Sequence, residues 1–208
     1  MKTEIRKIYI AISAAVILWF LMFSPWTAPY FNFWIMMSLS AVILSGLATW
    51  FFPGIWKTVI PGWKDIALGI TISVMLWGVF WIGDKISSMI FGFARTQVDL
   101  IYGIKDGTSF WVLSALLLFL IGPAEEIFWR GYVQKSISGH IGADKALILT
   151  TVIYTLVHLP SLNFMLIMAA FTAGAVWGIL YRICPERLPA IVISHALWDA
   201  AVFVWFPI

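Results

Sequence analysis

Charge is scarce in this 208-residue chain: Lys, Arg, Asp and Glu together make up 11% of it, against 62% for the hydrophobic residue types. A soluble domain carries about 25% charged residues, so this composition excludes a soluble enzyme, a nucleic-acid-binding domain and a disordered tail. Cysteine is nearly absent as well, and the single Cys184 cannot form a disulfide within the chain. The protein is therefore expected to lie in a membrane.

Uncharged stretches are long enough for bilayer-spanning helices, which need about 20 residues each. No charged residue occurs between Ile8 and Trp56, and further uncharged stretches run over 66–83, 107–124 and 146–181. The apolar runs are continuous, whereas a transmembrane β-barrel needs alternating segments. The sequence predicts an all-α, polytopic membrane protein with a single transmembrane domain over 1–208. About seven spans are predicted from these runs and their Pro and Gly boundaries, at 8–25, 31–52, 66–83, 109–132, 146–160, 164–181 and 188–206.

Basic residues are distributed unevenly between the two sides of this predicted topology. With the N-terminus in the cytoplasm, nine Lys and Arg residues fall on the cytoplasmic side and three on the other. This distribution follows the positive-inside rule. We therefore expect a multi-pass membrane protein with a cytoplasmic N-terminus, in contact with the lipid bilayer and with no nucleic-acid partner. A prokaryotic cell membrane is expected as its location, independently of this charge distribution.

The connection between the third and fourth predicted spans, 84–108, is more polar than the spans. Within it Ile86, Met89, Ile90 and Phe93 recur at helical spacing. This pattern predicts one interfacial amphipathic helix that connects the two spans along the membrane surface.

Six ionisable residues lie inside the predicted spans, although a central charge disfavours insertion by roughly 2.5–3.5 kcal/mol. At a rise of ~1.5 Å per residue, three helices separated in the sequence would bring these groups to one layer, between the cytoplasmic surface and the bilayer midplane. Ionisable residues in such positions indicate function. They are Glu125, Glu126, Arg130, His158, His195 and Asp199.

Helical spacing predicts which of these groups are paired. Glu126 and Arg130 are separated by four residues and can form an ion pair along their helix. Glu125 is turned about 100° away and stays available as a general base.

Two further pairs share the same spacing. Tyr154 lies one turn before His158, and His195 lies one turn before Asp199. The Asp199 carboxylate could hold the imidazole in one tautomer or share a metal ion with it. Glu125 with two histidines and Asp199 is enough to activate a water molecule.

Three motifs of this sequence resemble those of a known family. Glu125-Glu126-x-x-x-Arg130, Tyr154-x-x-x-His158 and His195-x-x-x-Asp199 are similar, in order and on successive hydrophobic segments, to the motifs EExxxR, FxxxH and HxxxN/D. These motifs are typical of the CPBP intramembrane proteases, the CAAX proteases and bacteriocin-processing enzymes, also called the Abi family or type II CAAX prenyl endopeptidase-like proteins. The resemblance covers the segment 109–206.

The resemblance implies an endopeptidase that hydrolyses a peptide bond of a membrane-associated or prenylated-type peptide or protein, with a site that opens toward the cytoplasm. It implies that Glu125 and His158 activate the attacking water. His195 and Asp199 would stabilise the oxyanion or position the water.

The resemblance gives the other motif residues supporting roles and leaves the cofactor open. Glu126 and Arg130 would brace their helix, and Tyr154 replaces the usual Phe with a ring whose hydroxyl needs a partner. Asp199 replaces the Asn of the CAAX-processing branch, and an ionised Asp cannot donate a hydrogen bond to an oxyanion. Two mechanisms remain open: a metal-independent glutamate protease, or a metalloprotease with a divalent metal such as zinc. The candidate metal ligands are Glu125, His158, His195 and Asp199.

The motifs of other intramembrane protease classes are absent, and two other functions remain as alternatives. The sequence contains no HExxH motif of zinc proteases, no GxGD motif of aspartyl intramembrane proteases and no GxSG motif around a nucleophilic serine. The alternative is a catalytically inactive CPBP-like membrane scaffold or bacteriocin-immunity protein. An ion-coupled carrier is a third class, disfavoured because the spans show no repeated halves. His140 is interpreted as a solvated histidine of the predicted loop 132–145.

Overall fold

The computed structural model describes residues 2–208, without the side chain of Lys2, and contains no strand in that range. The prediction of an all-α protein is therefore confirmed. Short 3₁₀ turns connect several of the helices, and π-helical segments lie within the fifth helix and after the eighth. The helices are α1 (Lys2–Phe23), α2 (Phe33–Phe51), α3 (Trp63–Ile90), α4 (Ala94–Gly103), α5 (Phe110–Ile141), α6 (Ala143–Leu156), α7 (Phe164–Ile183) and α8 (Leu188–Ala200).

Six helical segments in residues 2–208 are long and apolar enough to cross a membrane: α1, α2, α3, α5, α7, and α8 with its flanking turns. The segment 146–160, predicted as a further span, folds as α6. Its 14 residues rise only about 21 Å, less than the ~30 Å apolar core of a bilayer. The chain leaves the helix before Leu159–Ser161, a 3₁₀ turn in which Pro160 cannot continue the α-helical hydrogen bonds.

The connector predicted over 84–108 differs from the structure in its first part. α3 continues without a break to Ile90, so Ile86 and Met89 belong to a 28-residue helix and not to a separate interfacial one. The separate helix is α4, which begins only at Ala94. Ile86, Met89 and Ile90 are helical, as their spacing predicts, but spacing alone cannot show where one helix ends and the next begins.

The loop predicted over 132–145 is mostly helical. α5 continues to Ile141 and ends at Gly142, whose φ of +86° favours glycine. His140 is exposed as expected, but it lies on the helix, with its Nδ1 2.8 Å from the carbonyl oxygen of Ser136.

Glycine allows two helices, α3 and α5, to approach α8 closely. A Cβ on Gly69 of α3 would lie 2.8 Å from the carbonyl oxygen of Ala190 of α8. A Cβ on Gly122 of α5 would lie 2.6 Å from the Cα of Ala196, also on α8. Because neither contact leaves room for a side chain, α8 is fixed between α3 and α5, with His195 next to the point of closest approach.

Candidate active site

A cavity of about 490 Å³ brings residues of all three motifs together. Its wall contains Glu125 of α5, Tyr154 of α6, His158 just after α6, and His195 with Asp199 of α8. The rest of the lining is mostly aromatic and aliphatic. The expectation that three distant segments bring their polar groups to one place agrees with this arrangement.

The backbone around Glu125 and Glu126 is irregular. Both lie in the α-helical segment Gly122–Glu126, between π-helical segments at Leu117–Ile121 and Ile127–Gln134. Pro123 has no backbone N–H, so the regular hydrogen-bond ladder is interrupted beside the two carboxylates. Such π segments occur frequently at functional sites of membrane and soluble helices.

Glu125 is buried, with 7% of its surface exposed, and is held through one carboxylate oxygen. The hydroxyl of Tyr154 donates a hydrogen bond to its Oε2 at 3.0 Å. The sequence predicted no partner for Glu125, so this contact corrects that expectation and supplies the partner that the tyrosine hydroxyl needs. Residues 2–208 place no hydrogen-bond donor on Oε1, which leaves that oxygen for a ligand in the cavity.

Glu126 forms the ion pair predicted from its spacing. Arg130 donates from Nη1 to Glu126 Oε1 at 2.7 Å and from Nη2 to the carbonyl oxygen of Gly174 at 3.0 Å. The same Oε1 also lies 2.6 Å from His195 Nδ1. Glu126 therefore joins α5 to α8, a contact that sequence analysis missed because the two residues lie 69 positions apart.

His195 is fixed on three sides. Besides Glu126 at Nδ1, Asp199 Oδ2 lies 3.4 Å from Nε2, as their spacing predicted. The indole of Trp177 stacks on the imidazole with the ring centroids 3.8 Å apart, and its N–H donates to Ser194 Oγ at 2.8 Å. Carboxylates at both ring nitrogens favour an imidazole that presents a proton at each of them.

His158 makes two hydrogen bonds that sequence analysis did not foresee. Its Nδ1 lies 2.8 Å from the backbone oxygen of Tyr154, and its Nε2 lies 3.1 Å from the indole nitrogen of Trp19 on α1. Both ring nitrogens are therefore engaged by protein atoms. No pattern in the sequence points to Trp19, which lies 139 positions away.

The four candidate metal ligands are not arranged around a common point. In the part of the chain that the structure describes, no group of three or more His, Cys, Asp or Glu side chains could hold a metal ion. The lone pair of His158 Nε2 faces an N–H donor, and His195 lies between two carboxylates that compete for its ring protons. The donor set does not fit a metal in this arrangement.

The cavity extends toward the end of the bundle opposite the start of α1. Its lining includes Phe23 at the end of α1, Phe33 at the start of α2, Asp84 near the end of α3 and Phe164 at the start of α7. If the N-terminus is cytoplasmic, the cavity faces the other side of the membrane. The expectations of a cytoplasmic N-terminus and of a site open to the cytoplasm are therefore in conflict.

Comparison with known families gives one match. Residues 107–201 match the family model described as Type II CAAX prenyl endopeptidase Rce1-like. The matched segment contains all three motifs and confirms the resemblance to the CAAX protease family. No curated protein and no solved structure shows significant similarity to the chain. The helices α1 to α4 lie outside the matched segment.

Proposed function

We propose, from the premise that residues 107–201 resemble a CAAX-type protease, that this protein is an intramembrane endopeptidase. The observation that carries the proposal is the position and hydrogen bonding of the Glu125 carboxylate. It lies in the wall of a largely apolar cavity, with one oxygen held by Tyr154 and the other facing no protein donor. A carboxylate in this setting can accept a proton from water.

In the proposed reaction, Glu125 takes one proton from a water molecule in the cavity. The water oxygen then forms a bond to the carbonyl carbon of the scissile peptide, whose oxygen becomes the oxyanion. As the carbon–nitrogen bond breaks, Glu125 returns the proton to the leaving nitrogen. The products are a carboxylic acid and an amine, and the carboxylate of Glu125 is restored.

His195 is proposed as the group that stabilises the oxyanion. Its orientation is fixed by Glu126 and by the ring of Trp177. The distance of 3.4 Å from Nε2 to Asp199 is longer than a strong charge-assisted hydrogen bond, which spans about 2.7–2.9 Å. The N–H at Nε2 therefore makes no strong bond to Asp199 and stays available to a developing negative charge in the cavity, as an oxyanion donor must.

His158 is proposed to orient the site rather than to remove a proton. The family resemblance implies a role in water activation together with Glu125. The lone pair of Nε2 faces the indole N–H of Trp19, however, and Nδ1 faces the carbonyl oxygen of Tyr154. Glu125 thus remains as the base, and the poor fit of the donor set to a metal favours the metal-independent glutamate mechanism.

The substrate is proposed to be a membrane-associated peptide or protein. The cavity is lined mostly by aromatic and aliphatic side chains, which suit an apolar peptide segment or a lipid-modified one. A prenylated substrate is what the name of the matched family suggests.

The test replaces Glu125 by Gln, which keeps the shape of the side chain and removes its basicity. Purified protein in liposomes should cleave membrane-associated peptides, and E125Q should lose this activity by at least about a thousandfold. The matched control is E186Q, since Glu186 is exposed in the turn before α8. Full cleavage by E125Q overturns the proposal. A phenotype in cells that persists in E125Q would instead favour an inactive scaffold or immunity protein.

A further inference from the structure

We propose that Trp19 of α1 is a positioning residue of the active site, acting on Glu125 through His158 and Tyr154. The inference rests on the proposed function, because it concerns the base of that reaction. α1 lies outside the segment that matches the protease family, so the family resemblance assigns it no role. α1 nevertheless provides the indole that bonds to His158.

The hydrogen bonds to Trp19 and to the carbonyl of Tyr154 agree on one tautomer of His158. An indole nitrogen is a donor only, so Nε2 of His158 must accept and carry no proton. A carbonyl oxygen is an acceptor only, so Nδ1 must donate its proton to the backbone of Tyr154. The two bonds together allow a neutral imidazole protonated at Nδ1 and exclude the other tautomer.

Tyr154 links this imidazole to the base. Its backbone oxygen accepts from His158, and its hydroxyl donates to Glu125 Oε2. A second path leads from Trp19 to the same residue through aromatic rings. Trp129 packs edge-on against Trp19 at 6.4 Å and against Tyr154 at 5.2 Å between centroids. The position of Trp19 is thus transmitted to Tyr154 by a hydrogen-bonded path and a packing path.

The N–H of Trp19 has a role that packing alone does not explain. Two other buried indoles, Trp129 and Trp198, have an N–H without a hydrogen-bond partner in the part of the chain the structure covers. Burial of a tryptophan in this fold therefore does not require its N–H to be bonded. Without the donor at position 19, the lone pair of Nε2 would lose its partner, and the ring of His158 would be held by a hydrogen bond at Nδ1 alone.

Two variants separate the N–H from the ring. W19F removes both the N–H and part of the ring, which is 1% exposed, so it can also weaken packing. Incorporation of 3-benzothienylalanine at position 19 replaces the N–H by sulfur and keeps the bicyclic shape. The control is W205F, which removes the bond from Trp205 to Ser114 Oγ outside the cavity lining.

In the liposome cleavage assay we expect kcat of the benzothienylalanine protein to fall about tenfold, the effect of one lost buried hydrogen bond. KM should change less than twofold, because Trp19 is not proposed to bind substrate. W205F should keep the kcat of the wild type. An unchanged kcat in the benzothienylalanine protein overturns the inference.

Nitrogen NMR of histidine rings gives a readout that does not depend on activity. The chain has three histidines, so the ring-¹⁵N spectrum of the full-length protein in nanodiscs can be assigned with single variants. His158 should show a protonated Nδ1 and an unprotonated Nε2, and in the benzothienylalanine protein the Nε2 resonance should shift because the unprotonated nitrogen loses its donor. A His158 spectrum that does not change also overturns the inference. Cleavage activity that survives in E125Q would overturn the proposed function, and it is therefore distinct from the two results that overturn only the role of Trp19.

Discussion

Glu126 of α5 and His195 of α8 are joined by a contact of 2.6 Å between Oε1 and Nδ1. The same carboxylate oxygen accepts a hydrogen bond from Arg130 of its own helix. Glu126 is fully buried and Arg130 is 1% exposed. One carboxylate therefore neutralises a buried arginine and orients a histidine of the cavity, whereas its neighbour Glu125 forms no ion pair with the side chains described, those of residues 3–208. The two adjacent glutamates should respond differently to the same substitution.

The first prediction concerns E126Q. Removing the charge leaves Arg130 buried without a counterion, so the free energy of unfolding should fall by about 3–5 kcal/mol. Thermal unfolding in detergent measures the loss. E125Q serves as the control, since it should unfold close to the wild-type temperature while lacking activity. Equal stability of E126Q and E125Q would contradict the assignment of a structural charge to Glu126.

The second prediction concerns the hydroxyl of Tyr154. Y154F removes the donor to Glu125 Oε2 but keeps the ring, and it restores the residue usual in the family motif. We expect cleavage to persist with kcat reduced about ten- to 150-fold, because one hydrogen bond to a charged group contributes about 1.5–3 kcal/mol. Steady-state kinetics in liposomes measures the change. Complete loss of activity in a folded Y154F protein would show that the hydroxyl does more than orient Glu125.

The third prediction concerns Asp199, which faces His195 Nε2 at 3.4 Å. D199N keeps the size of the side chain and an acceptor oxygen, and it matches the alternative residue of the family motif. Activity should remain within about tenfold of the wild type, whereas D199A should lose more because His195 then has no partner at Nε2. The cleavage rates of D199N and D199A, measured side by side, test this order of activities. A D199N protein less active than D199A would indicate that the negative charge itself is required.

The fourth prediction concerns the room that Gly174 leaves for Tyr154. A Cβ at position 174 would lie 2.8 Å from Tyr154 Cδ1, so G174A should displace the ring whose hydroxyl is bonded to Glu125. We expect a loss of about 1–3 kcal/mol in stability, together with lower activity. G46A on α2 is the matched control, since its Cβ would meet no atom within 4 Å. Both the unfolding temperature and the cleavage rate should be lower in G174A than in G46A.

The sequence by itself determined the class of the fold. Long uncharged runs predict helices because the backbone of a membrane span must satisfy its own hydrogen bonds. Within the described range 2–208, six helical segments have the required length and composition. Helix ends were harder to predict. α3 extends past Asp84 and α5 past Tyr132, since neither position carries a residue that breaks a helix. α6 is shorter than predicted because apolar residues continue beyond its end into the 3₁₀ turn that contains Pro160, so the uncharged run is longer than the helix.

The sequence also determined which residues meet along a single helix, because i and i+4 positions are adjacent by helical geometry alone. The pairs Glu126–Arg130 and His195–Asp199 follow from it. Only the tertiary structure decided the contacts between helices: Glu126 with His195, Tyr154 with Glu125, and Trp19 with His158. These depend on how close the helices approach and how each is rotated, which small residues such as Gly122 and Gly174 permit. Neither quantity has a periodic signature in the chain.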